Sequence, residues 1–243
     1  QVITVDDTTL PAWNQPMPAD EVNECDAIVP PPPVVTASHP CDPMVEVVFD
    51  EQITGGSCPW NYTITRTWTA TDDCGNALVH VQVITVDDTI DPTASAPAPV
   101  VFQCVDNIPA PDITVVTDEA DNCTINPLVA FVSDVNDNGT CSETITRTYS
   151  VTDDCGNQIL LTQTITIDPA PLAVFDPVSP ITLTCDEALT FTATDLDYTN
   201  NETGTCLIAG TETGVITGTF DECGGALTQP WTFTDDCNRT ITQ

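Results

Sequence analysis

The feature that most constrains the fold of this chain is an internal repeat. The heptapeptide Gln-Val-Ile-Thr-Val-Asp-Asp at residues 1–7 returns unchanged at residues 82–88. A longer segment, residues 62–76, is closely echoed by residues 143–157 and more weakly by residues 227–238. A tandem array folds as a series of similar modules, so each copy has to be interpreted as a small unit. Such arrays favour reach, surface display and adhesion over a single catalytic pocket.

The repeat predicts the domain boundaries. Residues 1–7 are the last strand of a preceding repeat, followed by repeat 1 (residues 8–90), repeat 2 (residues 91–170) and repeat 3 (residues 171–243), whose last strand is incomplete. Both ends fall inside strand-like segments, so we expect a window of a longer polypeptide. Proline occurs in both junctions, which makes them semi-rigid spacers and favours an extended rod.

Within repeat 1, residues 61–73 alternate with a period of two. Tyr62, Ile64, Arg66, Trp68 and Ala70 share one face, and threonines occupy the other. This pattern indicates a half-buried antiparallel strand, and the Asp-Asp-Cys-Gly-Asn turn followed by residues 78–86 completes a hairpin. No helical periodicity of useful length is present. The sequence therefore predicts an all-β fold of tandem immunoglobulin-like β-sandwich modules forming an extended rod.

Twelve cysteines fall into three sets of four, one set per repeat. Repeats of this size bury too little surface to be stable without staples, and an even, regular set indicates disulfides formed in an oxidising compartment. Sequence alone allows three pairings per repeat. Immunoglobulin-like order favours pairing the first cysteine with the third and the second with the fourth, because each pair then lies at one end of the sandwich. The pairs are Cys25–Cys58, Cys41–Cys74, Cys104–Cys141, Cys123–Cys155, Cys185–Cys223 and Cys206–Cys237.

The charge is strongly one-sided, with 37 acidic residues against three arginines. A surface of this charge repels nucleic acid and anionic lipid, and no apolar run is long enough for direct membrane insertion. It attracts divalent cations instead.

Acidic residues gather where the linkers meet the predicted loops of the next repeat. Calcium takes six to eight oxygen ligands from such carboxylates, and crowded like charges repel without a cation. We therefore predict calcium at each junction, with solvated acidic loops as the alternative. The candidate ligands are Asp6, Asp7, Asp42, Asp72, Asp73, Asp87, Asp88, Asp91, Asp118, Asp121, Asp153, Asp154, Asp168, Asp195, Asp235 and Asp236.

Signals of catalysis are absent from the sequence. It has no Ser/His/Asp set, no HExxH motif and no glycine-rich phosphate loop, so we predict that the chain is not an enzyme. Arg66 and Arg147 occupy the same register of the repeat. We expect a structural role for both, in which each stacks on an aromatic neighbour or pairs with a nearby acid.

Residues 65–76, Thr-Arg-Thr-Trp-Thr-Ala-Thr-Asp-Asp-Cys-Gly-Asn, resemble the late strand and turn of hyalin-type (HYR-like) repeats. The four-cysteine version is similar to repeats in long cell-surface arrays of Bacteroidota, including gliding-motility adhesins. The resemblance implies a secreted, extracellular chain at the cell surface, exported by a type IX system. It also implies a role in adhesion or in a surface filament.

The same resemblance implies O-glycosylation at Thr8 and Thr89, each of which follows an aspartate as in the motif of that phylum. The expected partners are the neighbouring repeats of the same long chain. Two alternatives stay open. One is an array that binds a surface glycan or protein ligand, and the other is a homopolymer in which each subunit donates a strand to the next.

Overall fold

The computed structural model describes residues 1–105, 108–222 and 224–243, which form an almost entirely β chain. Cys223, one of the cysteines assigned above, lies outside these residues. The strands of repeat 1 are β1 (Ala12–Trp13), β2 (Glu21–Glu24), β3 (Ala37–Ser38), β4 (Glu46–Gly55), β5 (Tyr62–Thr71) and β6 (Ala77–Asp87). The strands of repeat 2 are β7 (Thr93–Ser95), β8 (Val100–Gln103), β9 (Thr117–Ala120), β10 (Leu128–Asn136), β11 (Glu143–Thr152) and β12 (Gln158–Asp168).

Repeat 1 has one large sheet and one small one. The large sheet has the order β2-β6-β5-β4, with β5 antiparallel to both neighbours and β2 parallel to β6. The strands β1 and β3 pair in a second, two-stranded sheet. Repeat 2 has the same pattern, with the order β10-β11-β12-β8 and a separate β7–β9 pair. The all-β prediction is confirmed, and the strand order fits the immunoglobulin-like sandwich; the extended rod stays a prediction.

The predicted alternation along residues 61–73 determines which side chains form the core. In β5, Ile64, Arg66, Trp68 and Ala70 are buried, and the threonines between them are half-buried. The burial pattern along β11 is similar. Period two puts every second side chain on the inner face, so the sequence predicts the core of these hairpins directly.

Repeat 3 departs from this plan. Its elements are β13 (Val174–Phe175), α1 (Cys185–Thr190), β14 (Asp195–Thr199), β15 (Ala209–Thr213), β16 (Thr217–Asp221), β17 (Gly224–Thr228), β18 (Thr232–Thr234) and β19 (Thr240–Thr242). They form one three-stranded sheet and two separate hairpins. The short helix was not predicted, because six residues are too few to show helical periodicity. Its signal is the capping box of Thr184 and Glu187, in which each side chain binds the other residue's backbone N–H.

Contacts divide the chain into two compact units. Unit 1 contains residues 1–95, 116–130 and 150–160, and unit 2 contains residues 96–115, 131–149 and 161–243. Unit 1 therefore combines repeat 1 with the turns of one end of repeat 2. The predicted repeat boundaries describe sequence homology rather than contacts, and they stay a prediction. In the part of the chain that the structure describes, no helix is long and apolar enough to cross a membrane.

Arg66 and Arg147 have the structural role that their register predicts. The Nε of Arg66 donates to Glu51 at 2.8 Å, and its Nη2 donates to the carbonyl of Pro30 at 2.8 Å. The guanidinium of Arg147 donates to both oxygens of Asp134, at 2.9 Å each, and to the carbonyl of Pro109. Both arginines are only 4% exposed. Each one therefore ties its strand to a neighbouring acid and to a proline-bearing loop.

We expect Arg147→Ala to lower the free energy of unfolding by about 1–3 kcal/mol, because it leaves the Pro109 carbonyl and the Asp134 carboxylate without their donor. Denaturant titration would measure the loss. Asp134→Asn is the matched control, since it keeps an acceptor for the guanidinium and should cost less. A loss for Arg147→Ala below about 0.5 kcal/mol, which is typical of exposed surface positions, would contradict this role.

Candidate junction site

The turn that follows each long hairpin strand fixes both an aspartate and a cysteine. In repeat 2, Oδ1 of Asp153 accepts hydrogen bonds from the N–H groups of Cys155, Gly156 and Asn157, at 2.8, 2.6 and 2.9 Å. The side-chain amide of Asn157 donates to Oδ2 of Asp153 at 2.8 Å. Gly156 has a φ of 94°, which a side chain would disfavour. The Asp-Asp-Cys-Gly-Asn sequence therefore holds its carboxylate and its thiol in fixed positions.

The described disulfides connect one repeat to the next. Two lie in unit 1 and two in unit 2, and their Cα–Cα distances of 6.1, 5.0, 5.6 and 5.2 Å suit the bond. In order, they are Cys25–Cys123, Cys58–Cys155, Cys104–Cys206 and Cys141–Cys237. In each case the first cysteine of one repeat bonds the second of the next, and the third bonds the fourth.

This connectivity corrects the predicted pairing inside each repeat. The structure has neither Cys25–Cys58 nor Cys41–Cys74, nor the equivalent described pairs of repeats 2 and 3; Cys185–Cys223 lies outside the described residues. The error has a physical origin. The first and third cysteines of repeats 1 and 2 lie beside the second and fourth cysteines of the next repeat, and they bond these instead of each other. Within the described residues, Cys41, Cys74 and Cys185 form no disulfide.

Three carboxylates meet beside the first of these junctions. One oxygen each of Asp88, Asp121 and Asp153 lies within 4.8 Å of the others, and we call this set the Asp88 cluster. Asp88 is 3% exposed, and among the described residues nothing makes a hydrogen bond of normal geometry to either of its carboxylate oxygens. The Oδ1 of Asp121 is also buried without a partner. A buried carboxylate without a donor is costly unless a cation neutralises it.

The electrostatics of Asp88 follow from this environment. Burial raises the pKa of its carboxyl group above the ordinary value, and the charges of Asp121 and Asp153 raise it further. The N–H of Ile90 acts in the opposite direction and offsets only part of the effect. Three oxygens facing one another in this way are the hard ligands that calcium prefers.

The junction before repeat 1 has equivalent loops, but a histidine replaces one of the three aspartates. Asp7 and Asp72 occupy the positions of Asp88 and Asp153, but His39 stands two residues before its cysteine, where repeat 2 has Asp121. The Nε2 of His39 lies 3.7 Å from Oδ2 of Asp7, and its side chain is 1% exposed. The Nδ1 of His39 accepts a hydrogen bond from the N–H of Cys41, so this junction has an imidazole where repeat 2 has a third carboxylate.

The junction before repeat 3 contains a side-chain cation, Arg239. Arg239 occupies the position of Asn157, and its Nη2 lies 2.7 Å from Oδ2 of Asp235. The same nitrogen donates to the carbonyl of Ala170, as Asn157 donates to that of Asp88. Ala170 thus stands where Asp88 would be. Of the three junctions, only the Asp88 cluster combines three carboxylates without a side-chain cation among the described residues.

Outside the Asp88 cluster, Asp7 is grouped with His39 and Cys41, whose ligand atoms lie within 4.8 Å of one another, and the other predicted calcium ligands join no group of three among the described residues. Several are bound elsewhere: Asp87 accepts from the Asn61 amide at 2.7 Å, Asp118 from Ser95, and Asp195 from Thr213. Asp42 accepts from the N–H of Asp73. The others that stay outside are Asp6, Asp91, Asp154, Asp168 and Asp236. Calcium binding at these positions stays a prediction, with solvated acidic loops as the alternative.

The two predicted glycosylation sites lie at the surface. Thr8 and Thr89 are both exposed, and the Thr89 hydroxyl donates to Glu24 at 2.6 Å. Their modification stays a prediction.

The middle of the chain resembles a known family. Residues 92–167 match the family model described as "HYR-like domain with 4 cysteines". Repeat 2 is therefore similar to HYR-like domains, as the motif at residues 65–76 implied. Comparison with curated proteins finds no match for this sequence.

Some solved cadherin structures are also similar. Drosophila N-cadherin EC1-4 matches at 15% identity and a TM-score of 0.27, over 66% of this chain and 50% of that chain. Human protocadherin-24 EC1-2 matches at 10% identity and a TM-score of 0.26, over 68% of this chain and 100% of that chain. The human desmocollin-1 ectodomain matches at 9% identity and a TM-score of 0.26, over 98% of this chain and 74% of that chain. The chain thus spans half the length of the Drosophila fragment. Likeness at this level does not extend to function.

Proposed function

We propose that the chain is a non-catalytic section of an extracellular, adhesion-type stalk whose repeats are joined in series by disulfides. The observation that carries this proposal is the pairing of cysteines across junctions rather than within repeats. A disulfide inside a repeat stabilises that repeat alone. A disulfide between repeats prevents them from separating, which matters for a protein under tension and has no evident use in a catalytic domain. Disulfides also favour an oxidising, extracellular location.

Cross-junction bonds shorten the covalent path through the chain. From residue 1 the shortest path runs to Cys25, crosses to Cys123, continues to Cys141, crosses to Cys237 and ends at residue 243. An oxidised chain that loses all its secondary structure then extends to about 170 Å, against about 820 Å when reduced. Pairing inside each repeat would give about 470 Å. A stalk with these disulfides therefore lengthens little when it is pulled, even if its repeats unfold.

Single-molecule stretching between tags at the two ends tests the proposal. We expect the oxidised chain to stop near 170 Å and the same chain with a reductant to reach about 820 Å. Cys41→Ser is the matched control, because Cys41 forms no disulfide within the described residues and its loss should leave the oxidised limit unchanged. An oxidised limit near 470 Å would contradict the proposal.

Calcium at the Asp88 cluster is the second part of the proposal. Its support is the meeting of three carboxylates at a buried Asp88, whose oxygens accept no hydrogen bond of normal geometry among the described residues and which lies beside the Cys25–Cys123 disulfide. Asp88 follows β6 of repeat 1, whereas Asp121 and Asp153 belong to loops of repeat 2. A cation held by all three would brace the junction that the disulfides already close.

Strand donation between copies is a second candidate. Residues 1–7 form no strand, and Val2, Ile3 and Val5 are 92%, 78% and 90% exposed. An alternating apolar segment of this kind can add to a sheet edge of another chain. We expect Ile3→Asp to abolish any dimer seen by light scattering, and an unchanged dimer would exclude this route. Binding of a glycan or protein ligand, and an origin in a Bacteroidota gliding adhesin, stay predictions.

A further inference from the structure

The loops that carry Cys41 and Cys74 repeat the loops that carry Cys123 and Cys155, contact by contact. The N–H of Cys74 donates to Oδ1 of Asp72 at 3.0 Å, as that of Cys155 donates to Asp153. The N–H of Cys41 donates to the side chain of His39 at 3.2 Å, as that of Cys123 donates to Asp121.

The links between these loops are also repeated. The N–H of Asp73 donates to Oδ2 of Asp42 at 3.2 Å, as that of Asp154 donates to the Thr124 hydroxyl at 2.9 Å. The Asn76 amide donates to the carbonyl of Asp7 at 3.1 Å, which matches the bond from Asn157 to Asp88. The end of repeat 1 is therefore folded in the same way as the end of repeat 2 that forms a junction.

The two ends differ in the state of their cysteines, besides the replacements of Asp121 by His39 and of Thr124 by Asp42. Cys123 and Cys155 are bonded to the first and third cysteines of the repeat before them. Cys41 and Cys74 are exposed and form no disulfide within the described residues. Beside them, Nε2 of His39 is buried and has no hydrogen-bond partner among the described residues. This nitrogen lies 3.7 Å from Oδ2 of Asp7, and a buried ring nitrogen without a hydrogen bond indicates that a further group belongs on this surface.

We propose that Cys41 and Cys74 are the acceptor half of a further junction, where they bond the first and third cysteines of another repeat of this kind. Repeat 3 presents one such donor. Its first cysteine, Cys185, is exposed and forms no disulfide within the described residues. Its third cysteine, Cys223, lies outside the described residues. The donor repeat comes either from a second copy of this chain or from a longer polypeptide that contains it.

The bond needs an oxidant, for which a small-molecule disulfide suffices. The Cys41 thiolate attacks the small disulfide, forms a mixed disulfide and releases one thiol. The donor thiolate then attacks the Cys41 sulfur and releases the second, so one disulfide is reduced as one is formed.

Two full-length variants test the linkage. The donor form carries Cys41→Ser and Cys74→Ser, and the acceptor form carries Cys185→Ser. We expect an equimolar mixture in oxidised glutathione to give a covalent heterodimer on a non-reducing gel, while the donor form alone stays monomeric. Mass spectrometry should recover a Cys41–Cys185 peptide in a mixture of donor and wild type. A yield of covalent dimer in the mixture no higher than that of the donor form alone would overturn linkage between copies. Dimers joined through Cys41–Cys41 would also overturn it.

The protein isolated from its natural source distinguishes the two donors. A peptide that joins Cys41 to Cys185 identifies a second copy, and one that joins Cys41 to a sequence outside these 243 residues identifies a longer polypeptide. Cys41 and Cys74 recovered as free thiols from that material would overturn the proposal. The inference rests on the cross-junction pairing of the proposed function. The two failures are distinguishable, because Cys25–Cys123 can be present in the same digest while Cys41 is free.

Discussion

We expect calcium to raise the melting temperature of the wild-type chain, and we expect Asp88→Asn to abolish that response. At a free calcium concentration 100 times the Kd, binding to the folded state adds about 2.7 kcal/mol, which is about 5–10 °C for a chain of this size. In EDTA the same substitution should raise the melting temperature, because it removes a buried charge that faces Asp121 and Asp153. Calorimetric scans of both proteins with and without calcium would measure these opposite signs.

Two further variants make the calcium prediction specific. Asp154→Asn is the matched control, because Asp154 is exposed, adjacent to Asp153 and outside the cluster, so its calcium response should be unchanged. His39→Asp gives the junction before repeat 1 the third carboxylate that Asp121 supplies in the Asp88 cluster. We expect titration calorimetry to show one calcium per wild-type chain and two per His39→Asp chain. A wild-type melting curve that is identical in calcium and EDTA would refute the site.

The pH dependence follows from the raised pKa of Asp88. A carboxyl group that binds its proton more tightly in the folded state favours folding at low pH, and this contribution is lost as the pH rises through its folded pKa. Without calcium, the Asp88 contribution to stability should therefore fall between about pH 4 and the raised pKa. With calcium the trend reverses, since the ion binds the deprotonated group. The calcium-induced shift in melting temperature should grow over the same range.

Removal of one cross-junction disulfide has the second large effect. The double substitution Cys58→Ser and Cys155→Ser opens a loop of 97 residues, and we expect it to lower the free energy of unfolding by about 4–5 kcal/mol in the chain-entropy model. Both thiols are replaced so that neither can mispair. Guanidinium titration under oxidising conditions would measure the loss as a lower midpoint.

Cys41→Ser is again the matched control. Cys41 forms no disulfide within the described residues, so its replacement should change stability by no more than about 0.5 kcal/mol. If the cysteines paired within repeats, Cys41→Ser would break a bond to Cys74 and would cost several times that amount. A Cys41→Ser loss as large as that of the double substitution would therefore contradict the connectivity.

The strands and their faces could be predicted from the sequence because their signals are local. Alternation along residues 62–71 determines which side chains of β5 are buried, and the Asp-Asp-Cys-Gly-Asn turn determines the hairpin. Local patterns carry this information since a strand exposes alternate side chains whatever else surrounds it. The capping box at Thr184 is an equally local signal for α1, but the helix that follows it is too short to show a helical pattern of apolar residues.

The disulfide partners could not be predicted, because they depend on which repeat ends meet. Cys25 and Cys58 were correctly placed at one end of repeat 1, and both bond repeat 2 there. Nothing in the spacing within one repeat distinguishes a bond inside it from a bond to the next. The calcium ligands stay a prediction, which the sequence could have narrowed to fewer residues. The prediction treated all junctions alike, although aligning the repeats would have shown His39 in the place of Asp121 and Arg239 in that of Asn157.

Peptide mapping of the unreduced chain tests the central claim most directly. Digestion with pepsin at low pH suppresses thiol exchange and does not depend on the three arginines that trypsin would need. The structure predicts linked peptides for Cys25–Cys123, Cys58–Cys155, Cys104–Cys206 and Cys141–Cys237. Recovery of Cys25–Cys58 and Cys41–Cys74 in their place would show that each repeat is closed on itself, and would contradict the covalent stalk.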